Sequence, residues 1–182
     1  MYTGGSARTR PFMCTLTAMN RRAFGINLLG LLGSVSCNSA PPLTNTRESP
    51  VVLARAVVDA LLRRDRAALE GLALSEREFR DHVWPDLPAS RPERNLPFSY
   101  VWGDLHQKSV NALSGTLARR GGRSYNVQRV TFAGVTDYPD ARVHRGATFH
   151  VLEEAGGEGE LRVCGSMYEK DSGWKVFSYV ID

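Results

Sequence analysis

The sequence predicts an α+β fold: N-terminal helices packed on a curved four-stranded antiparallel sheet. Three observations lead there. Apolar residues recur at helical spacing between Pro50 and Arg120. The period switches to two from Ser124 to the end. Helices gathered ahead of strands, rather than alternating with them, favour helices on one side of an antiparallel sheet.

The chain has 182 residues, and the first stretch with clear grammar is Asn20-Arg21-Arg22-Ala23-Phe24. An apolar run of twelve residues, Phe24 to Val35, follows and closes in Gly33-Ser34-Val35-Ser36-Cys37. A charged start, a short apolar middle and a small-residue exit make an export leader. The run is too short to be a permanent span, which needs roughly twenty apolar residues. Residues 1–18 carry Gly4, Gly5, Ser6 and Pro11 without apolar periodicity, so the expected start is Met19, or Met13. The pattern Arg21-Arg22-x-Phe24 resembles the core of a twin-arginine leader. The exit is similar to a bacterial lipobox. Asn20, Gly25-Ile26 and Ser34 depart from these patterns. The resemblance implies a lipid on Cys37, the membrane as a partner and an address in the cell envelope, either anchored or periplasmic. Residues 1–36 are thus read as upstream residues and leader, 37–49 as a flexible tether and 50–182 as the domain.

Charge is read differently once the leader is set apart. The chain holds 23 basic and 19 acidic residues, and Arg8, Arg10, Arg21 and Arg22 lie before Cys37 with no acid among them. The remainder is balanced, so a nucleic-acid partner is not expected. Of the cysteines Cys14, Cys37 and Cys164, only the last falls in the domain, where no disulfide can form. It reads as a buried small hydrophobe.

Ser49-Pro50 supplies an N-cap and a first-turn proline for a helix with the stripe Leu53, Ala56, Val57, Ala60, Leu61. Arg55, Asp59 and Arg63 at spacing four suggest an exposed charge ladder. Asp65 caps a short second helix that ends near Gly71. Ser75-Glu76-Arg77-Glu78 is a capping box flanked by the staple pair Leu74 and Phe79, predicting a third helix from Glu76 to about Val83. Residues 85–97, with four prolines, read as a long loop. A long helix is expected from Tyr100 to Arg120, stopped by Gly121-Gly122. Strands are expected at 125–132, 141–153, 160–169 and 174–181, with hairpin turns at Ala155-Gly156-Gly157-Glu158-Gly159 and Lys170-Asp171-Ser172-Gly173. The last strand is apolar on both faces, which suggests an inner position.

This order of elements, with the strand opening Gly173-Trp174-Lys175-Val176, resembles the nuclear transport factor 2-like superfamily, including its SnoaL-like domains. The resemblance covers residues 50–182 and implies a cone-shaped pocket between helices and sheet. It carries over no catalytic residue. Members include enzymes, ligand binders and dimerisation modules, so function must come from the site.

Candidate pocket residues are Arg145, His82, Trp102, Asp104 and His106. Arg145 shares the parity of Val143 and Ala147 on an apolar strand face; an inward guanidinium needs a carboxylate or an anionic ligand. Asp104 or a histidine is the candidate general base of a pocket enzyme. His82 and His106 flank tryptophans. His144 and His150, six apart on one strand, would stand roughly 20 Å apart, too far to share a metal. No metal or cofactor is expected. The leading reading is a non-enzymatic lipoprotein that binds a small apolar or anionic ligand or a protein. The alternatives are a SnoaL-like or ketosteroid-isomerase-like enzyme, and a structural homodimer built on the sheet face through Phe177 and Tyr179.

Overall fold

The computed structural model describes residues 40–153 and 156–181. The leader and Cys37 lie outside the described residues. Among those described, no helix is long and apolar enough to cross a membrane.

Helix α1 (Pro50–Leu62) starts where Ser49 Oγ accepts from the Val52 N–H, and it buries Leu53, Ala54, Val57 and Leu61. Asp65 caps α2 (Arg66–Leu72) by accepting from the Ala68 N–H. The capping box of α3 (Glu76–His82) is reciprocal, and Leu74 and Phe79 pack in one apolar cluster. The proline-rich segment forms three short 3-10 turns at Trp84–Asp86, Pro88–Ser90 and Pro92–Arg94. Helix α4 (Phe98–Arg120) then crosses the domain and ends at Gly121. Arg55, Asp59 and Arg63 of the expected charge ladder on α1 are exposed, but the Arg55 guanidinium donates to the Val127 carbonyl rather than pairing with Asp59.

The described strands number seven rather than four: β1 (Tyr125–Thr131), β2 (Gly134–Tyr138), β3 (Ala141–Arg145), β4 (Thr148–Glu153), β5 (Glu158–Leu161), β6 (Ser166–Lys170) and β7 (Gly173–Ser178). They form two antiparallel sheets, β1-β4-β5 and β2-β3-β6-β7. The expected strand 141–153 breaks at Gly146, which has φ +63° and a neighbouring Ala133 only 2.6 Å from where a Cβ would sit. A side chain is excluded there twice over, by conformation and by space. The expected strand 160–169 divides likewise into β5 and β6. The Gly146 and Ala147 N–H groups both donate to the Gly165 carbonyl, joining the two sheets at the break.

The break has a consequence for packing. An unbroken strand would carry Val143, Ala147, Phe149 and Val151 on one face. Instead Ala147, Phe149 and Val151 join α1, α2 and Trp174 in the larger apolar cluster, while Val143 joins Phe79, Val83 and Tyr168 in the smaller one. Strand β7 is not an inner strand as its apolar faces suggested. It stands last in its sheet, and its free edge is covered by other chain segments. Arg47 and Trp174 exchange both backbone hydrogen bonds at 2.9 and 2.7 Å, and the Leu74 N–H donates to the Val176 carbonyl at 3.0 Å. Edge coverage of this kind removes a template for unwanted strand pairing.

The second half of the expected flexible tether is therefore a docked strap. His82 Nε2 donates to the Pro41 carbonyl at 2.8 Å, Asn45 Nδ2 donates to the Gly71 carbonyl at 2.9 Å, and Thr44 bonds to Glu78. The polar composition of residues 40–49, which reads as a linker, supplies donors and acceptors that hold it down.

Candidate functional site

An open cleft of about 600 Å³ lies between α4 and the inner face of the four-stranded sheet. Its apolar walls include Phe79, Leu87, Val101, Leu105, Val143 and Phe177. Register explains the floor: Val143 pairs with Tyr168, and Tyr168 with Lys175, so alternate residues of β3, β6 and β7 turn to one side. Leu105 and Val101, one turn apart on α4, form the opposite wall. The volume lies within the roughly 300–1,000 Å³ typical of small-molecule sites.

The charged groups on the cleft are Asp104, Lys108 and Arg145. Asp104 and Lys108 are ion-paired at 2.7 Å across one helical turn. That carboxylate raises the Lys108 ammonium above its ordinary value through its hydrogen bond and its charge. Arg145 is exposed at the rim. Its guanidinium lies over Gly134, the residue opposite it on β2, and a Cβ there would stand 3.2 Å from the nearer nitrogen. Among the described residues no hydrogen bond or ion pair engages this guanidinium. Ser166, its partner in register on β6, lines the cleft beside it.

The five candidate residues do not converge. Arg145 and Asp104 share the cleft. Trp102 and His106 lie on the other flank of α4, stacked at 5.2 Å and lining a narrow pocket of about 50 Å³ with Ser109, Leu113 and Tyr179. Trp102 also packs on Phe79 at 5.3 Å, so it is a wall of the core. His82 is buried and serves the strap through Pro41, while its own carbonyl accepts from the Tyr168 hydroxyl at 3.2 Å. No described residue brings His82, Asp104, His106 and Arg145 to one point. His144 and His150 are also parted, because the break at Gly146 puts them in different sheets. His144 donates to Glu169 at 2.8 Å between the rings of Phe132 and Trp174. Among the described residues no three His, Cys, Asp or Glu side chains gather closely enough to hold a metal.

One polar assembly escaped the sequence reading. Lys175 Nζ is bonded to both oxygens of Glu78, at 3.0 and 2.8 Å, and donates to the Thr44 carbonyl at 2.8 Å. Glu78 also accepts from the Thr44 and Ser75 N–H groups and from both hydroxyls. The ion pair is almost wholly buried, at 2% and 8% side-chain exposure. Burial pushes the Glu78 carboxyl up, but the bonds from Lys175, Ser75 and Thr44 together outweigh it and hold the group down at about 2. Every donor and acceptor of the pair is engaged, which is the condition for a buried ion pair to persist. It ties strap, α3 and β7 together. The signal was Lys175 itself: a lysine between Trp174 and Val176 on a strand apolar on both faces requires a buried acid, and the capping-box glutamate was available.

Cys164 is fully buried in the larger cluster, and burial pushes its thiol up to about 12. It is a packing residue, not a nucleophile.

Comparison of the chain with family models, with curated proteins and with solved structures returns no match in any of the three.

Proposed function

We propose that this domain binds a small, largely apolar ligand in the cleft between α4 and the four-stranded sheet. The observation that carries the reading is the open, largely apolar cleft of about 600 Å³. The bent sheet, with helices on its inner side, is compatible with a nuclear transport factor 2-like cone, in which such a cleft is the ligand space. From the Arg21–Cys37 leader we further infer an exported protein held at the membrane by lipid on Cys37.

A pocket enzyme finds less support. A general base works best desolvated and within reach of the reacting proton. Asp104 instead has a side chain 51% exposed and already paired with Lys108. A dimer through the sheet face is also less favoured, because Tyr179 is buried and Phe177 is half-buried in the cleft wall.

The test uses N-phenyl-1-naphthylamine, a neutral apolar dye whose fluorescence rises on desolvation. The wild-type protein is expected to bind it, and Thr136→Trp, which fills the cleft from the edge strand β2, is expected to lose binding while melting as before. No binding by the wild type, or equal binding by Thr136→Trp, overturns the reading.

A further inference from the structure

The charge arrangement around the cleft specifies more than an apolar guest. Of its three charged groups, Asp104 and Lys108 neutralise one another at 2.7 Å. Arg145 is left as the one charge on the cleft without a counter-ion among the described residues. A guanidinium cannot shed its proton to relieve this, and its planar fork matches a carboxylate at two points. Its setting is specific. Gly134 leaves the space over which the side chain lies, and Ser166 stands opposite on β6 with a hydroxyl on the same cleft. The apolar part of the lining includes Val143, Val101, Leu105, Phe177 and Phe79.

We infer that the ligand is an amphiphilic monoanion, a small molecule with one carboxylate held by Arg145 and Ser166 and an apolar body laid along the cleft between α4 and the sheet. The inference rests on the cleft being the binding site. The polar end lies at the open rim and the apolar end against Phe79, so a ligand enters body first and leaves its headgroup at the water boundary. This placement spares the carboxylate most of the desolvation that a deep charge would suffer. It also gives discrimination: a neutral molecule of the same shape gains the apolar contacts but not the charged hydrogen bonds.

The experiment displaces N-phenyl-1-naphthylamine with dodecanoate or with dodecanol, below their aggregation concentrations. Wild type is expected to prefer dodecanoate by about tenfold, the size of one charge-assisted hydrogen-bond pair at a partly exposed site. Arg145→Gln removes the preference by weakening dodecanoate alone, with dodecanol unchanged, and Arg145→Lys retains part of it. Equal displacement by both compounds in wild type, or a preference that survives Arg145→Gln, overturns the inference while leaving the cleft as a binding site. Failure of the dye itself to bind removes the cleft reading, and this inference with it. Arg145 is exposed, so its variants fold, and a melting curve verifies this.

Discussion

The two halves of this domain solve the same problem differently. On one side α1 lies on the three-stranded sheet, and Leu53, Val57, Leu61, Phe149 and Val163 are wholly excluded from water. On the other side the first turns of α4 face the four-stranded sheet without a fully buried apolar residue, while Leu113 farther along joins the larger cluster. Around it Val101, Trp102, Leu105 and Phe177 remain half-buried. The first half is closed by packing. The second is left open, and its framework is held by strap, capping box and the Glu78–Lys175 pair. The difference teaches that apolar closure and a ligand-sized opening compete for the same surface. Where the opening is kept, polar bonds take over the work of fixing the elements.

The comparison breaks most readily in the closed half. Phe149→Ala, at a fully buried site, is expected to cost about 3–5 kcal/mol. Phe177→Ala, on the cleft wall, is expected to cost under about 2 kcal/mol, because half-exposed side chains lose less burial. Urea unfolding of both variants decides, and equal costs would mean that the halves are equally packed.

A second prediction concerns acid. Glu78 is held at about 2 against an ordinary 4.5. A depressed carboxyl gives its stabilisation in full above the unfolded value and loses it as pH falls through the folded one. The contribution is thus complete above about pH 4.5 and disappears between there and about pH 2. Glu78→Gln is expected to melt lower at neutral pH, since Lys175 stays buried without its counter-charge, and to show a flatter fall in Tm over that window. A variant that tracks wild type from pH 6 to 2 would remove the pair from its place in the open half. The smallest effect is expected at Asp104→Asn, which breaks an exposed pair on α4. Such pairs contribute about 0.2–1 kcal/mol, so a larger loss of Tm would show that the cleft mouth helps to hold the fold.

Much of the helical layer was legible in the sequence. Ser49, Asp65 and Ser75 are caps whose short side chains bind backbone a few residues on, so their signals are local. The sheet was only partly legible. The meander from Tyr125 onward follows from alternation, but the break at Gly146 depends on Ala133, which approaches from the link between β1 and β2. Strand β2 was missed because Gly134, Thr136 and Tyr138 face the cleft while Val135 and Asp137 face solvent, which yields no apolar alternation. The site was legible in one residue, Arg145, whose parity marked it as out of place. Its setting was not, because Gly134 and Ser166 flank it only across strand pairings. The strap was misread for the same reason: Thr44 and Pro41 look like linker until Glu78, Lys175 and His82 stand beside them.

The buried thiol of Cys164 turns the contrast between the halves into something that can be timed. Its sulfur sits in the closed half, and with its acidity suppressed to about 12 it is silent toward alkylating reagents at neutral pH while the native packing holds. Its exposure requires the larger apolar cluster to open. The rate at which mass accrues on the Cys164 peptide is therefore an internal clock for the opening of that cluster.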